Sequence, residues 1–150
     1  MSTPTATSAA KAAPEKQANR VRMASFGALT MLVIQFVLGV AYSLYGTAPT
    51  SSKSIGMFSS PLLDLHVIMG ILLIISAIML VVRSVQAKLT PVIVTSAVGL
   101  LAIVGAFGAG SAFIKAGDNG PSLGMAIATA IALLCYAATL VILGKPGKGD

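Results

Sequence analysis

Four long apolar runs, almost free of charge, limit what this chain can fold into. They cover about residues 23–45, 61–84, 91–115 and 121–144. A helix that crosses the hydrocarbon core of a bilayer needs roughly twenty such residues, each rising about 1.5 Å. Every run is long enough. Lipid offers backbone groups no hydrogen bonds, so a spanning segment must satisfy them internally, as a helix does. The composition agrees: 56% of the residues are hydrophobic and 9% are charged. A soluble domain carries about a quarter charged residues, and this chain lacks the polar surface to face water. The sequence predicts an all-α membrane protein, a four-transmembrane up-down-up-down helix bundle.

The ends of the runs carry helix signals. Ser60-Pro61 supplies an N-cap and a proline at the first helical position. Asp64 falls in the first turn, where a carboxylate suits the positive end of the helix dipole. Thr90-Pro91 repeats the start signal, and Pro121 opens the last run after the turn-forming Ala116-Gly117-Asp118-Asn119-Gly120. Gly46-Thr47-Ala48 could pass for a cleavage site, but the preceding run is longer than the roughly 7–15 residues of a signal core. We expect an uncleaved span. Residues 1–22 are rich in Ala, Ser and Thr and poor in apolar side chains, which predicts a disordered tail with a frayed helical end near Arg20. Residues 145–150 form a second short tail.

Orientation follows from the basic residues. Placing both termini on one side puts Lys11, Lys16, Arg20, Arg22, Arg83, Lys88, Lys145 and Lys148 there, against Lys53 and Lys115 opposite. The positive-inside rule makes that side, and both termini, cytoplasmic in a plasma or inner membrane. The net charge of +6 is thus a topology signal and an attraction to anionic lipid. It is not gathered on one stripe, as a nucleic-acid surface requires.

Lipid removes the hydrophobic drive between helices, so small residues must let them approach closely. The i, i+4 lines name Gly27 and Gly39 in the first run and Gly70 in the second. Ala102, Ala106 and Gly110 follow in the third, and Gly124 and Ala128 in the fourth. The same faces carry two polar side chains, Gln35 near mid-membrane and His66 nearer the outer surface. Both are costly against lipid, so they are expected to face the interior. His66 suits a haem iron, a proton relay or a hydrogen bond to Tyr42 or Ser43. Gln35 suits helix register. Met125 falls at nearly the depth of His66, and a His/Met pair is a haem-ligation scheme. Asp64 is about 200° around the helix from His66, so the two do not form an acid–base pair. Cys135 is a small hydrophobe within an apolar run.

The run Ile34-Gln35-Phe36-Val37-Leu38-Gly39-Val40, a polar loop, and Leu65-His66 followed by Gly70 resembles one four-helix half of haem A synthase, mainly over residues 34–70. The resemblance implies haem-ligating histidines near the outer face, and His66 matches one such position. It also implies a second ligand histidine on the fourth helix, and none is present there. Leu63 stands where the resemblance would put a catalytic acid. Haem A synthesis is therefore not expected.

His66 is the sole histidine, and the sequence contains no P-loop, dinucleotide fingerprint or multi-residue metal motif. The sequence favours a non-catalytic accessory or structural subunit of a larger membrane complex, respiratory or otherwise, or a homo-oligomer. The alternative is a b-type haem-binding electron-transfer module with His66 as axial ligand. A small transporter or quinone-linked protein ranks third.

Overall fold

The computed structural model describes residues 6–47, 49–50, 53–117 and 119–144. Four helices account for nearly all of them: α1 (Ala6–Tyr45), α2 (Pro61–Gln86), α3 (Thr90–Ala116) and α4 (Asn119–Gly144). Each contains a segment long and apolar enough to cross a membrane: Gln17–Tyr45, Pro61–Gln86, Thr90–Lys115 and Asn119–Gly144. Large apolar side chains also cover the outside of the bundle. Phe36, Val37, Ile75, Leu101, Leu134 and Val141 are all exposed. A continuous apolar exterior of this kind needs lipid around it. The chain is an integral membrane protein.

Helix α2 starts as expected. Ser60 is extended (φ −156°, ψ 149°), and its hydroxyl accepts the Leu63 N–H at 3.4 Å, with Pro61 in the first turn. At α3 the start differs. Leu89 is the N-cap, and Thr90 and Pro91 are already helical with no side-chain cap. The cause is the tightness of the α2–α3 turn. Lys88 takes a left-handed conformation (φ 53°). The N–H groups of Ala87, Lys88 and Leu89 bond back to Arg83, Val85 and Ser84 carbonyls. The turn thus satisfies the end of α2 and leaves α3 to begin at once. Helix α4 begins two residues before Pro121 (Asn119), because a proline is compatible with any position in the first turn.

The largest departure is α1. It begins at Ala6, so it runs through most of the segment expected to be a disordered tail. Low apolar content argues against a core, but not against helix. The Ala, Lys, Glu and Gln of this stretch favour helix. Extending an established helix also avoids the cost of nucleation. Its 40 residues span about 60 Å at 1.5 Å each, about twice the hydrocarbon core. The tail expected over 145–150 and the turn role expected of Asp118 lie outside the described residues.

The helices form a closed ring. α1 touches α2, α2 touches α3, α3 touches α4 and α4 touches α1, and neither diagonal pair is in contact. The α3–α4 seam is the most extensive. On α2 the buried positions are Leu63, Val67, Gly70, Leu73, Ala77, Leu80 and Ser84. Their spacing of three or four residues is the seam of a left-handed bundle. On α1, Val21, Ser25, Ala28 and Leu32 are buried at the same spacing, and Gln35 and Gly39 continue it. The interior is filled in one half only. Ala28, Leu32, Leu73, Ala77, Leu80, Val92, Ile103, Ala132 and Tyr136 form one packed cluster toward the α2–α3 turn.

This geometry corrects one packing residue. Gly27 is exposed, and a Cβ added there would meet nothing within 4 Å. Four residues turn a helix through about 400°, so an i+4 line drifts about 40° per step. Gly39 is three such steps from Gly27, a third of a turn. Gly39 faces α2 and Gly27 faces outward. The other small residues stay at seams. Gly70 is buried, Ala102, Ala106 and Ala128 are half-buried, and an added Cβ at Gly124 would touch Ala109 at 3.8 Å.

Candidate functional site

The other half of the bundle, toward the α1–α2 and α3–α4 connections, is hollow. A cavity of about 360 Å³ lies there, bounded by all four helices. α1 contributes Gln35, Gly39, Tyr42 and Ser43, and α2 contributes His66, Val67 and Gly70. α3 contributes Ala106, Phe107, Gly110 and Ser111, and α4 contributes Ser122, Met125 and Thr129. The volume falls within the roughly 300–1,000 Å³ of small-molecule sites, and the lining is apolar with a few polar groups, as such sites are. Toward the α2–α3 turn the packed cluster closes it.

Glycines open the cavity where its polar side chains lie. A Cβ at Gly39 would come within 3.2 Å of the His66 ring, at Cε1. A Cβ at Gly70 would come within 3.2 Å of Gln35 Nε2, and one at Gly110 within 3.3 Å of Met125 Sδ. Each of the three side chains expected from the sequence therefore lies over a glycine of a neighbouring helix.

Gln35 Nε2 donates to the His66 carbonyl oxygen at 2.9 Å, which ties α1 to α2. Its Oε1 is enclosed and has no partner. His66 Nδ1 is likewise enclosed and unpartnered, turned toward Gly39. The expected bond from His66 to Tyr42 or Ser43 is not formed. Tyr42 Oη donates instead to its own chain, at Thr47 O (3.0 Å). Two unpartnered polar atoms on one cavity wall are unusual, because nearly all buried polar groups are hydrogen-bonded. Asp64 is half-buried rather than freely exposed, and its Oδ1 is also enclosed without a partner. It does not line the cavity.

The α1–α2 connection forms a strap tied to the end of α3. Thr50 and Lys53 exchange two backbone hydrogen bonds (3.1 and 3.0 Å), and Ile55 N–H donates to Ile114 O at 3.0 Å. Gly117 caps α3 in the left-handed conformation (φ 70°). A Cβ there would also collide with Pro49 O of the strap. Met57 reaches the cavity from this loop.

Sequence reasoning did not single out the polar residues of the filled half. Ser25, Ser84, Ser96 and Thr139 are fully buried. Each returns its hydroxyl to a carbonyl three or four residues back, at 2.8–3.1 Å. Thr95 and Thr139 also join α3 to α4 through a 2.7 Å hydroxyl–hydroxyl bond. Their signal was visible as hydroxyl residues within apolar runs, but nothing in the sequence paired them. No group of three or more metal-ligating side chains occurs among the described residues.

Comparison with protein-family models, with curated proteins and with solved structures finds no match. The functional reading therefore rests on the geometry of the cavity.

Proposed function

We propose that the bundle is a small cofactor-binding module of the membrane, holding a b-type haem in its hollow half with His66 as an axial ligand. The observation that carries this reading is the cavity itself. The sole imidazole lies in its wall, and the neighbouring helix is reduced to glycine beside it. A bundle serving only as a structural subunit would gain from filling that space, because protein interiors pack closely. The cavity thus favours cofactor binding over the accessory-subunit reading, and the packed half toward the α2–α3 turn disfavours a transport path.

The residues present fit the group. Nδ1 of His66 is enclosed, so Nε2 is the nitrogen left to bind iron. Gln35 is the polar residue beside His66 on the same wall, tied to this turn of α2 through the His66 carbonyl. The apolar lining suits a flat macrocycle, and Ser111, Ser122 and Thr129 supply polar groups around it. A haem held there supplies one-electron exchange. His66 would hold it, and the packed cluster closes the site toward the α2–α3 turn. The distribution of basic residues supports an orientation with this half toward the outer leaflet and both termini cytoplasmic.

The test is an absorption spectrum of the purified full chain, produced with haem supplementation. A Soret band is expected, and His66→Ala should abolish or strongly shift it. Gly39→Leu, which fills the space beside the ring, should reduce haem content while the bundle still folds. Absence of the band in wild type, or a band unchanged in His66→Ala, rejects the reading.

A further inference from the structure

We infer that Met125 is the second axial donor, facing His66 across the cavity. The inference rests on the haem reading and adds the identity of the opposite ligand. Three observations carry it.

The first is position in the ring. His66 is on α2 and Met125 on α4, the helices that are diagonally opposed, and both line the one cavity. The second is depth. Gly70 of α2 lies level with Phe107 of α3, since a Cβ there would sit 3.9 Å from the Phe107 ring. One turn toward the loop end from this level brings His66 on α2 and Gly110 on α3. Gly110 in turn contacts Met125 Sδ. His66 and Met125 therefore lie at similar depth in the cavity.

The third is a correspondence between the two helical hairpins. In α1–α2, Gly39 lies beside the His66 ring. In α3–α4, Gly110 lies beside the Met125 sulfur. Gly39 is six residues before the end of α1 (Tyr45), and Gly110 is six residues before the end of α3 (Ala116). Each hairpin thus presents one donor side chain over one glycine at the same height. Where a second histidine would make the arrangement symmetric, this chain has a thioether. A thioether opposite an imidazole raises the reduction potential relative to a second imidazole.

The test uses the haem-loaded full chain and three spectroscopic states. Wild type is expected to be six-coordinate and low-spin, with the weak far-red sulfur-to-ferric-iron charge-transfer band. Met125→Leu, of similar volume, should keep the haem, lose that band, turn high-spin in the ferric state and bind carbon monoxide readily in the ferrous state. Met125→His should restore a low-spin spectrum without the far-red band and lower the potential. Haem bound through His66 with a spectrum indifferent to both substitutions overturns the Met125 assignment and leaves the haem reading standing. No haem in wild type overturns both.

Discussion

The contact between Gly99 and Tyr136 gives the most direct measure of how tightly the filled half is packed. Tyr136 is fully buried, and a Cβ on Gly99 would lie 3.0 Å from its Cζ, 3.1 Å from Cε1 and 3.3 Å from Oη. Ordinary carbon–carbon contact is about 3.5–4.0 Å. Gly99→Ala therefore asks a ring with no free space to move by about half an ångström or more. Overpacking of this kind costs about 1–3 kcal/mol. Replacing Gly by Ala within a helix also returns about 1 kcal/mol of propensity. Gly27→Ala isolates that second effect, since a Cβ there meets nothing. The stability of Gly99→Ala relative to Gly27→Ala should thus be lower by about 1–3 kcal/mol, the clash alone. Denaturant titration of the purified chain in mixed micelles measures both. Adding Tyr136→Leu to Gly99→Ala should recover part of the loss. Equal stability of the two alanine variants would refute the reasoning, because the ring would then be free to give way.

Other expectations follow from the same geometry. Tyr136 Oη is enclosed without a partner, and such a group costs about 1–3 kcal/mol, so Tyr136→Phe should unfold no earlier than wild type in the same titration. A loss above about 1 kcal/mol would show that the hydroxyl has a partner. A double-mutant cycle of Thr95→Val and Thr139→Val should give a coupling of about 0.6 kcal/mol and below about 2, because each hydroxyl also bonds its own helix. Gln35→Leu should destabilise the α1–α2 seam by a similar amount and leave the far-UV helical signal unchanged. With Cys135→Ala as background, Ser54→Cys should react with an impermeant thiol reagent from outside intact cells, and Gln86→Cys only after lysis. The reverse pattern would overturn the orientation.

The four helices were legible because span length and the lack of charge each act on a whole segment. Ser60-Pro61 was legible because its cap chemistry is local. Gln35 and His66 stood out because amide and imidazole side chains are rare in this chain's spans, Met125 because it falls at nearly the depth of His66, and all three line one cavity. The misses have physical causes. The helix over residues 6–22 was missed because apolar content was taken as the measure of order, whereas an existing helix extends on propensity. Gly27 was misplaced because an i+4 line departs from a packing seam that averages fewer residues per turn. The Thr90 cap failed because the Lys88 turn already satisfied the neighbouring backbone. The cavity itself is a sum of distances among four helices, and no single segment encodes it.

The contrast between a filled half and a hollow half sets how the chain can vary. In the filled half, a larger residue at Gly99, Ala77 or Ala132 meets a close contact, so few residues are tolerated. Around the hollow half, the neighbours of Gly39 and Gly110 can take up bulk at the expense of the cavity. Descendants of this sequence could therefore change the shape of the cavity while the filled half keeps the four helices in register. The filled half acts as an anchor for inheritance, and the hollow half is where new chemistry can be tried without losing the fold.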